Sequence, residues 1–307
     1  MKRLLLLLSF ASCLFADIED YFKPVVKAEP HSQMKNIDFI YLINLDEREE
    51  KLQHTIDMLA PYDIAPCRFS AVNGWELSLE AVNDLGVPYE SWMPNGRWVT
   101  YYPLDGDKRA EHEIAGIPGR TYFGHCLSLG SMGCVLSHLS VLQDAWDSGY
   151  EVIWVIEDDI EIIQNPHLLS DRIEELEGAV GKNGWDVLFT DKDTKNTQGE
   201  NVPCSSYAWR PNYTPSNAGR FAQKTEISDH ITQIGARYGS YSMLLRRTGM
   251  EKILNFFKCH HIFLPYDMEY TQPATVRLFC LKDDVVSTQP MATSDNGSPN
   301  YLPKKDI

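Results

Sequence analysis

The sequence predicts an α/β domain with a mainly parallel central sheet flanked by helices. Two observations carry that expectation. Short runs that are apolar on both faces alternate along the chain with segments whose apolar residues recur at helical spacing. One such run, "VIWVI" at 152–156, leads directly into Glu157-Asp158-Asp159, and ligands of open parallel sheets bind outside the carboxyl ends of their strands.

The elements follow in order. "IDFIYLINL" (37–45) reads as a buried strand. Leu45, Leu52, Ile56 and Leu59 then recur at helical spacing, while Glu47, Glu50, Lys51, His54 and Asp57 take the other face, and Pro61 ends the helix. "CRFSAVNG" (67–74) supplies a second strand with a turn at Asn73-Gly74, completing a β-α-β opening. Residues 75–130 read as irregular, and a loop of that length is usually functional or a lid. "GCVLSHLSVLQDAW" (133–146) predicts a helix with Val135, Leu139, Leu142 and Trp146 on one stripe. The "EVIWVI" strand, a helix over 167–177 and the strand "WDVLFT" (185–190) come next. Residues 191–232 are polar and loop-like. "GSYSMLLRR" (239–247) is a strand, and "TGMEKILNFF" is a helix with Met250, Ile253, Leu254 and Phe257 on one face. "VRLFCL" (276–281) is a late strand. One domain over 37–290 is the economical division, with a linker at 17–36 and a loose tail at 291–307.

Of the 307 residues, 28 are basic and 43 acidic, a net charge of −15. Nucleic acid or an anionic membrane surface would call for a clustered basic face and is excluded as the main partner. The first sixteen residues, two basic and then a short apolar run, have the layout of a signal peptide or N-terminal anchor. They predict an exported chain or one tethered to a membrane. Beyond Cys13 the six cysteines 67, 126, 134, 204, 259 and 280 permit disulfides but lack CxxC metal spacing. Asn212 and Asn296 stand in glycosylation sequons.

Side chains two apart on an extended segment point the same way, so Glu157 and Asp159 are placed to converge on one point. Two or three carboxylate oxygens suit a hard cation such as Mg²⁺ or Mn²⁺. Each charge pair at 4 Å is worth roughly 4 kcal/mol at an effective dielectric near 20, enough to offset carboxylate repulsion once a cation is bound. The alternative is a solvated turn whose acids cap the next helix.

Four segments, in order, resemble glycosyltransferase family 25, which includes bacterial lipooligosaccharide galactosyl- and glucosyltransferases and animal procollagen galactosyltransferases. They are "FIYLINLDEREEKL" (39–52), "FSAVNGWEL" (69–77), "GSMGCVLSHLSVLQDA…YEVIWVIEDDIEI" (130–162) and "YGSYSMLLRRTGMEKIL…LPYDMEY" (238–270). The resemblance implies a GT-A-like nucleotide-sugar-binding fold, a divalent metal and inversion at the transferred sugar carbon. It gives "EDD" the part of a DxD motif, with Asp159 as direct metal ligand and Glu157 or Asp158 assisting. It implies a hexose, galactose or glucose, moving from a UDP-sugar to a lipooligosaccharide-type glycan or a protein acceptor. Asn44, Leu45 and Arg48 end the first strand, where such folds hold the nucleotide. Arg48 is placed for a phosphate or uracil edge, or for a surface salt bridge. Asn73-Gly74 lets the backbone approach the nucleotide, or is only a turn. His138 is a site residue or a packed helical histidine. Inverting transfer needs a base for the acceptor hydroxyl, and Asp267 in "LPYDMEY" leads, followed by Glu269 and by Asp191 of the second carboxylate pair, Asp191 and Asp193. The acceptor is expected among 75–130 and 191–232, where Trp92, Trp98 and Tyr101 either stack on sugars or belong to the core. The rival is an exported, non-catalytic glycan-binding protein that keeps the fold. A metal-dependent phosphohydrolase using 157–159 and 191–193 is a third reading.

Overall fold

The computed structural model describes residues 17–27, 34–196, 198–289 and 294–297. The expected signal segment at 1–16, part of the 17–36 linker and most of the 291–307 tail lie outside the described residues. Along the chain run β1 (Phe39–Asn44), α1 (Glu49–Leu59), β2 (Cys67–Ser70), α2 (Leu79–Leu85), β3 (Val87–Pro88), β4 (Trp98–Tyr101), β5 (Glu111–Ile114) and β6 (Thr121–Tyr122). They are followed by α3 (Leu129–Asp147), β7 (Val152–Glu157), β8 (Ile160–Ile162), α4 (Leu168–Val180), β9 (Val187–Phe189), β10 (Lys224–Glu226) and β11 (Ile231–Ile234). β12 (Ser242–Arg246), α5 (Arg247–His260), α6 (Tyr266–Glu269), β13 (Leu278–Leu281) and β14 (Val286–Thr288) complete the order.

The architecture is GT-A-like, an eight-stranded mixed sheet in the order β10-β11-β13-β9-β12-β7-β1-β2. β2, β1 and β7 run parallel, as do β9 and β13, while β12 and β11 are reversed. Alternate residues of β7 serve two apolar layers. Ile153 and Val155 pack with Val135, Leu139 and Ile253 of α3 and α5, and Trp154 and Ile156 pack with Leu59 and Ile173 of α1 and α4. A strand covered on both faces must be apolar throughout, which is why "VIWVI" shows no alternation.

Several expectations change. The segment 75–130 is not irregular: it forms α2 and the short pairs β3–β6 and β4–β5 around a third apolar cluster that holds Tyr122, Phe263 and Leu264. Within 191–232, β10 and β11 extend the main sheet. On α1, Ile56 stands 38% exposed while Thr55 is buried, because the Thr55 hydroxyl donates to the Asp158 carbonyl at 3.1 Å. The described part of the expected linker packs on the domain, with Ile18 buried and Lys23 Nζ donating to Ser70 Oγ at 2.6 Å. No disulfide joins the six described cysteines. No helix among the described residues is long and apolar enough to cross a membrane.

One close approach ties this scaffold to the cleft. The Ser128 side chain caps α3, accepting from the Ser131 N–H at 3.0 Å. One turn later the helix presses on the 72–75 turn. A Cβ at Gly133 would lie 2.4 Å from the Val72 carbonyl oxygen, and one at Gly74 would lie 1.8 Å from that of Leu129. Glycine within a helix ordinarily gives up about 1 kcal/mol relative to alanine. Here the sign reverses: Gly133→Ala should lower stability by about 1–3 kcal/mol through overpacking. Urea denaturation of the two proteins checks this, and a gain in stability would refute the close-packed contact.

Candidate active site

Glu157 is the last residue of β7 and pairs with Ile43 of β1. The reversed β12 starts at the same edge, where the Glu157 N–H donates to the Tyr241 carbonyl at 2.8 Å. Glu157 Oε1 accepts from Ser240 Oγ at 2.6 Å and from His138 Nε2 at 3.0 Å. Burial works to raise the Glu157 carboxyl, but these bonds and the nearby imidazole outweigh it and hold it below the ordinary range.

The chain turns at Asp158 and Asp159 before β8, so the strict two-residue alternation of an extended strand stops at Glu157. Asp158 Oδ2 accepts from Asn44 Nδ2 at 2.7 Å. The Asp159 carbonyl is held by the Gln289 N–H at 3.0 Å, yet its buried Oδ1 has no hydrogen-bond partner. Burial, with Glu157 and Asp158 alongside, raises the Asp159 carboxyl to about 7. A buried, unpartnered carboxylate oxygen beside two further carboxylates fits a hard divalent cation. Glu157, Asp158 and Asp159 all line one cleft, together with Asn44, Leu45, Lys51, Asn73, Gly74, Trp75 and Cys134.

The remaining expected residues divide by what they touch. Asn44 is buried and fully engaged: besides Asp158 it donates to the Arg48 carbonyl at 3.0 Å and accepts from Arg68 Nε at 2.9 Å. It positions the carboxylate from the cleft wall. His138 is absent from the cleft wall; it stacks on Tyr266 at 4.3 Å, 1% exposed, and acts on Glu157. Asn73 Oδ1 caps its own turn by accepting from the Trp75 N–H at 3.1 Å. Arg48 and Lys51 pair with Asp295, and the Lys51 charge also acts on Glu157, Asp158 and Asp159.

The three base candidates separate sharply. Asp191 is completely buried, with Arg237 at 2.5 Å, Tyr241 at 2.6 Å and Ser287 at 2.8 Å. Glu269 is completely buried against Arg210 at 2.9 Å and accepts from the Phe263 and Leu264 N–H groups. Both form ion pairs inside the fold and neither lines the carboxylate cleft, which counts against them as the base, although Glu269 Oε2 is buried without a hydrogen-bond partner and burial raises its carboxyl to about 7. Asp267 is half-buried, and its Oδ2 accepts from the Gly239 N–H at 2.9 Å. Burial first, then the charge of Glu157, raises its carboxyl. It lines a second cavity with Tyr207, Tyr238, Met268 and Thr271. Exposed Trp98, with Trp209 and Met268, walls a third.

The family model described as glycosyltransferase family 25 (LPS biosynthesis protein) matches residues 37–269, which contain the three clustered carboxylates, Asn44, His138, Asp191, Asp267 and Glu269 but not Thr271, Ser287, Gln289 or Asp295. The chain belongs to glycosyltransferase family 25. A glycosyltransferase 25 family member of Drosophila pseudoobscura pseudoobscura is 23% identical over 55% of this chain and 23% of its own length. The human inactive glycosyltransferase 25 family member 3 is 25% identical over 53% of this chain and 23% of its own. Procollagen galactosyltransferase 1 of Danio rerio is 24% identical over 50% and 21%. This chain therefore spans less than a third of these curated relatives.

Ser240, which bonds Glu157, and Cys134 and Lys51, which line the cleft, are neighbours of the carboxylates that the sequence pattern did not single out. Of these, Lys51 alone carried a signal, standing one turn after Arg48 on the polar face of α1. Asp159 also gives the family 25 domain a distinctive pH response. Its folded carboxyl holds a proton up to about 7, whereas the unfolded one releases it near 3.9. The folded state thus binds more protons between these values, and its stability falls as pH rises through that window. Thermal melts in EDTA from pH 4 to 8 should show this decline flattened in Asp159→Asn. An unchanged slope would mean that Asp159 is already ionised.

Proposed function

We propose that the domain is a metal-dependent, inverting hexosyltransferase that moves galactose or glucose from a UDP-sugar to a glycan or protein acceptor. The observation that carries this is the unpartnered Asp159 oxygen, buried among three carboxylates at the carboxyl edge of the sheet. Membership of family 25 supports the reaction class, and the name of the Danio rerio relative supports galactose as one donor sugar. Asp159 and Glu157 would hold Mn²⁺ or Mg²⁺, which when bound supplies positive charge to the diphosphate leaving group.

The chain's own residues do the rest. Asn44 and the α1 hydroxyl of Thr55 hold Asp158, and His138 with Ser240 turns Glu157. These groups are fixed before reaction, so the site reorganises little as charge develops. Asp267 takes the proton of the acceptor hydroxyl as that oxygen attacks the anomeric carbon. The bond from that carbon to the diphosphate breaks, and UDP leaves with the electron pair. A carboxyl raised by burial is a better proton acceptor than an ordinary aspartate, and the Gly239 N–H keeps its position. Asp191 and Glu269, sealed in ion pairs, support the loops around the site.

The second reading, a non-catalytic glycan-binding protein, draws on the human relative's being named inactive. Calorimetric titration with UDP separates the two. The transferase should bind UDP more tightly with Mn²⁺ than without, and Asp159→Asn should lose that difference while remaining folded. Asp267→Asn should retain UDP affinity and lower transfer, in a donor-sugar screen with product detection, by about 10²–10⁴-fold. Absence of UDP binding with and without Mn²⁺ would sink the transferase.

A further inference from the structure

The donor cleft is partly filled by the chain itself. Ser294, Asp295 and Asn296 line it together with Asn73, Gly74 and Trp75, and the Trp75 indole N–H donates to the Asp295 carbonyl at 3.5 Å. Asp295 Oδ1 accepts from Arg48 Nε at 2.7 Å and also from Arg48 Nη2, and Oδ2 accepts from Lys51 Nζ at 2.5 Å. The carbonyl of Asn296 accepts from the hydroxyl of Ser128, the cap of α3. Gly297 has φ +75°, and a Cβ there would lie 2.7 Å from the Trp75 ring. The segment is therefore seated by charge at one end and by shape at the other.

Its placement is informative because of what surrounds it. Arg48 and Lys51 stand three residues apart at the start of α1, on one face. They border a cavity whose other walls include Asp158 and Asp159, in a chain of net charge −15. Two cations there form an anion-recognising pair, and the anion they hold is a carboxylate from more than 240 residues away in sequence. A diphosphate carries more charge and more acceptor oxygens than one carboxylate, and a guanidinium beside an ammonium suits phosphate.

We infer that Arg48 and Lys51 form the phosphate subsite of the donor cleft, and that Asp295 occupies it until a nucleotide diphosphate displaces the 294–297 segment. This rests on the donor-cleft reading above. It makes the C-terminal segment a built-in competitor of the donor, so that affinity for the nucleotide reflects the cost of undocking the segment.

The test uses the full chain and two substitutions that undock the segment by different means. Asp295→Asn removes the competing charge. Gly297→Val leaves all charges in place but meets Trp75 and disfavours the positive φ. With Mn²⁺ present, calorimetric titration with UDP and with inorganic pyrophosphate should show roughly tenfold tighter binding to both variants than to the wild type, as expected when a competing state is removed. A gain in Asp295→Asn alone would be simple relief of repulsion and would overturn the exchange. A gain in Gly297→Val alone would remove Asp295 as the competitor and overturn it equally. A loss in either would show that the segment helps hold the nucleotide, and would overturn it too. A gain for UDP without one for pyrophosphate would overturn the phosphate assignment. Equal UDP binding by all three proteins defeats this inference and leaves the donor-cleft reading intact, whereas absence of binding by all three defeats both.

Discussion

Three consecutive carboxylates at the end of a strand buried on both faces are the constraint around which the rest of the site is arranged. Charge removed from water must be met by hydrogen bonds or by opposite charge. Glu157 is met by His138 and Ser240, and Asp158 by Asn44. Each of these partners needs its own support. Asn44 is held by Arg68, and His138 by the ring of Tyr266. The helix that carries His138 is seated on the 72–75 turn through a contact that two glycines permit. Of the three acids, Asp159 is the one left with an unmet buried oxygen. The fold thus spends its polar contacts on two of the three acids and leaves the third for something else to satisfy.

Two buried ion pairs perform a different task. Arg237–Asp191 and Arg210–Glu269 are almost wholly removed from solvent. They fasten the long polar stretch after β9 to the sheet and to the turn before α6. Buried pairs of this kind add little net stability over apolar packing, but removal of one partner leaves an uncompensated charge. Here they define where the loops lie, and so frame the half-buried Asp267 between the carboxylate cleft and the aromatic cavity near Trp98. Their carboxylates resemble catalytic groups in the sequence because acidic residues at strand ends and after prolines have the same local appearance in either role.

Most of the scaffold was legible from periodicity. β1, α1, β2, α3, β7, β9, α5 and β13 stand within a few residues of where apolar spacing puts them. The short strands of 75–130 and the edge strands β10 and β11 were not legible, since two to four residues give too little pattern and β10 is entirely exposed. The rotation of α1 was also hidden: a hydroxyl bond from Thr55 to the carboxylate turn decides it, at the expense of burying Ile56.

What the sequence determined by itself is the central strand, the carboxylates at its end, and a helix bearing Cys134 and His138 that is long enough to cover them. Those features depend on local spacing and on the rule that both-face burial requires an unbroken apolar run. Tertiary structure alone decided the direction of β12, which brings Ser240 and Tyr241 beside Glu157, because a buried strand has the same apolar pattern in either direction. It also decided which aspartate lies in the cleft and which in an ion pair. That choice turns on partners such as Arg237 and Arg210, tens of residues distant, and no local pattern encodes them. The seating of Asp295 against Arg48 and Lys51 is the extreme case, a contact across sequence separations of 247 and 244 that only the closed fold brings together.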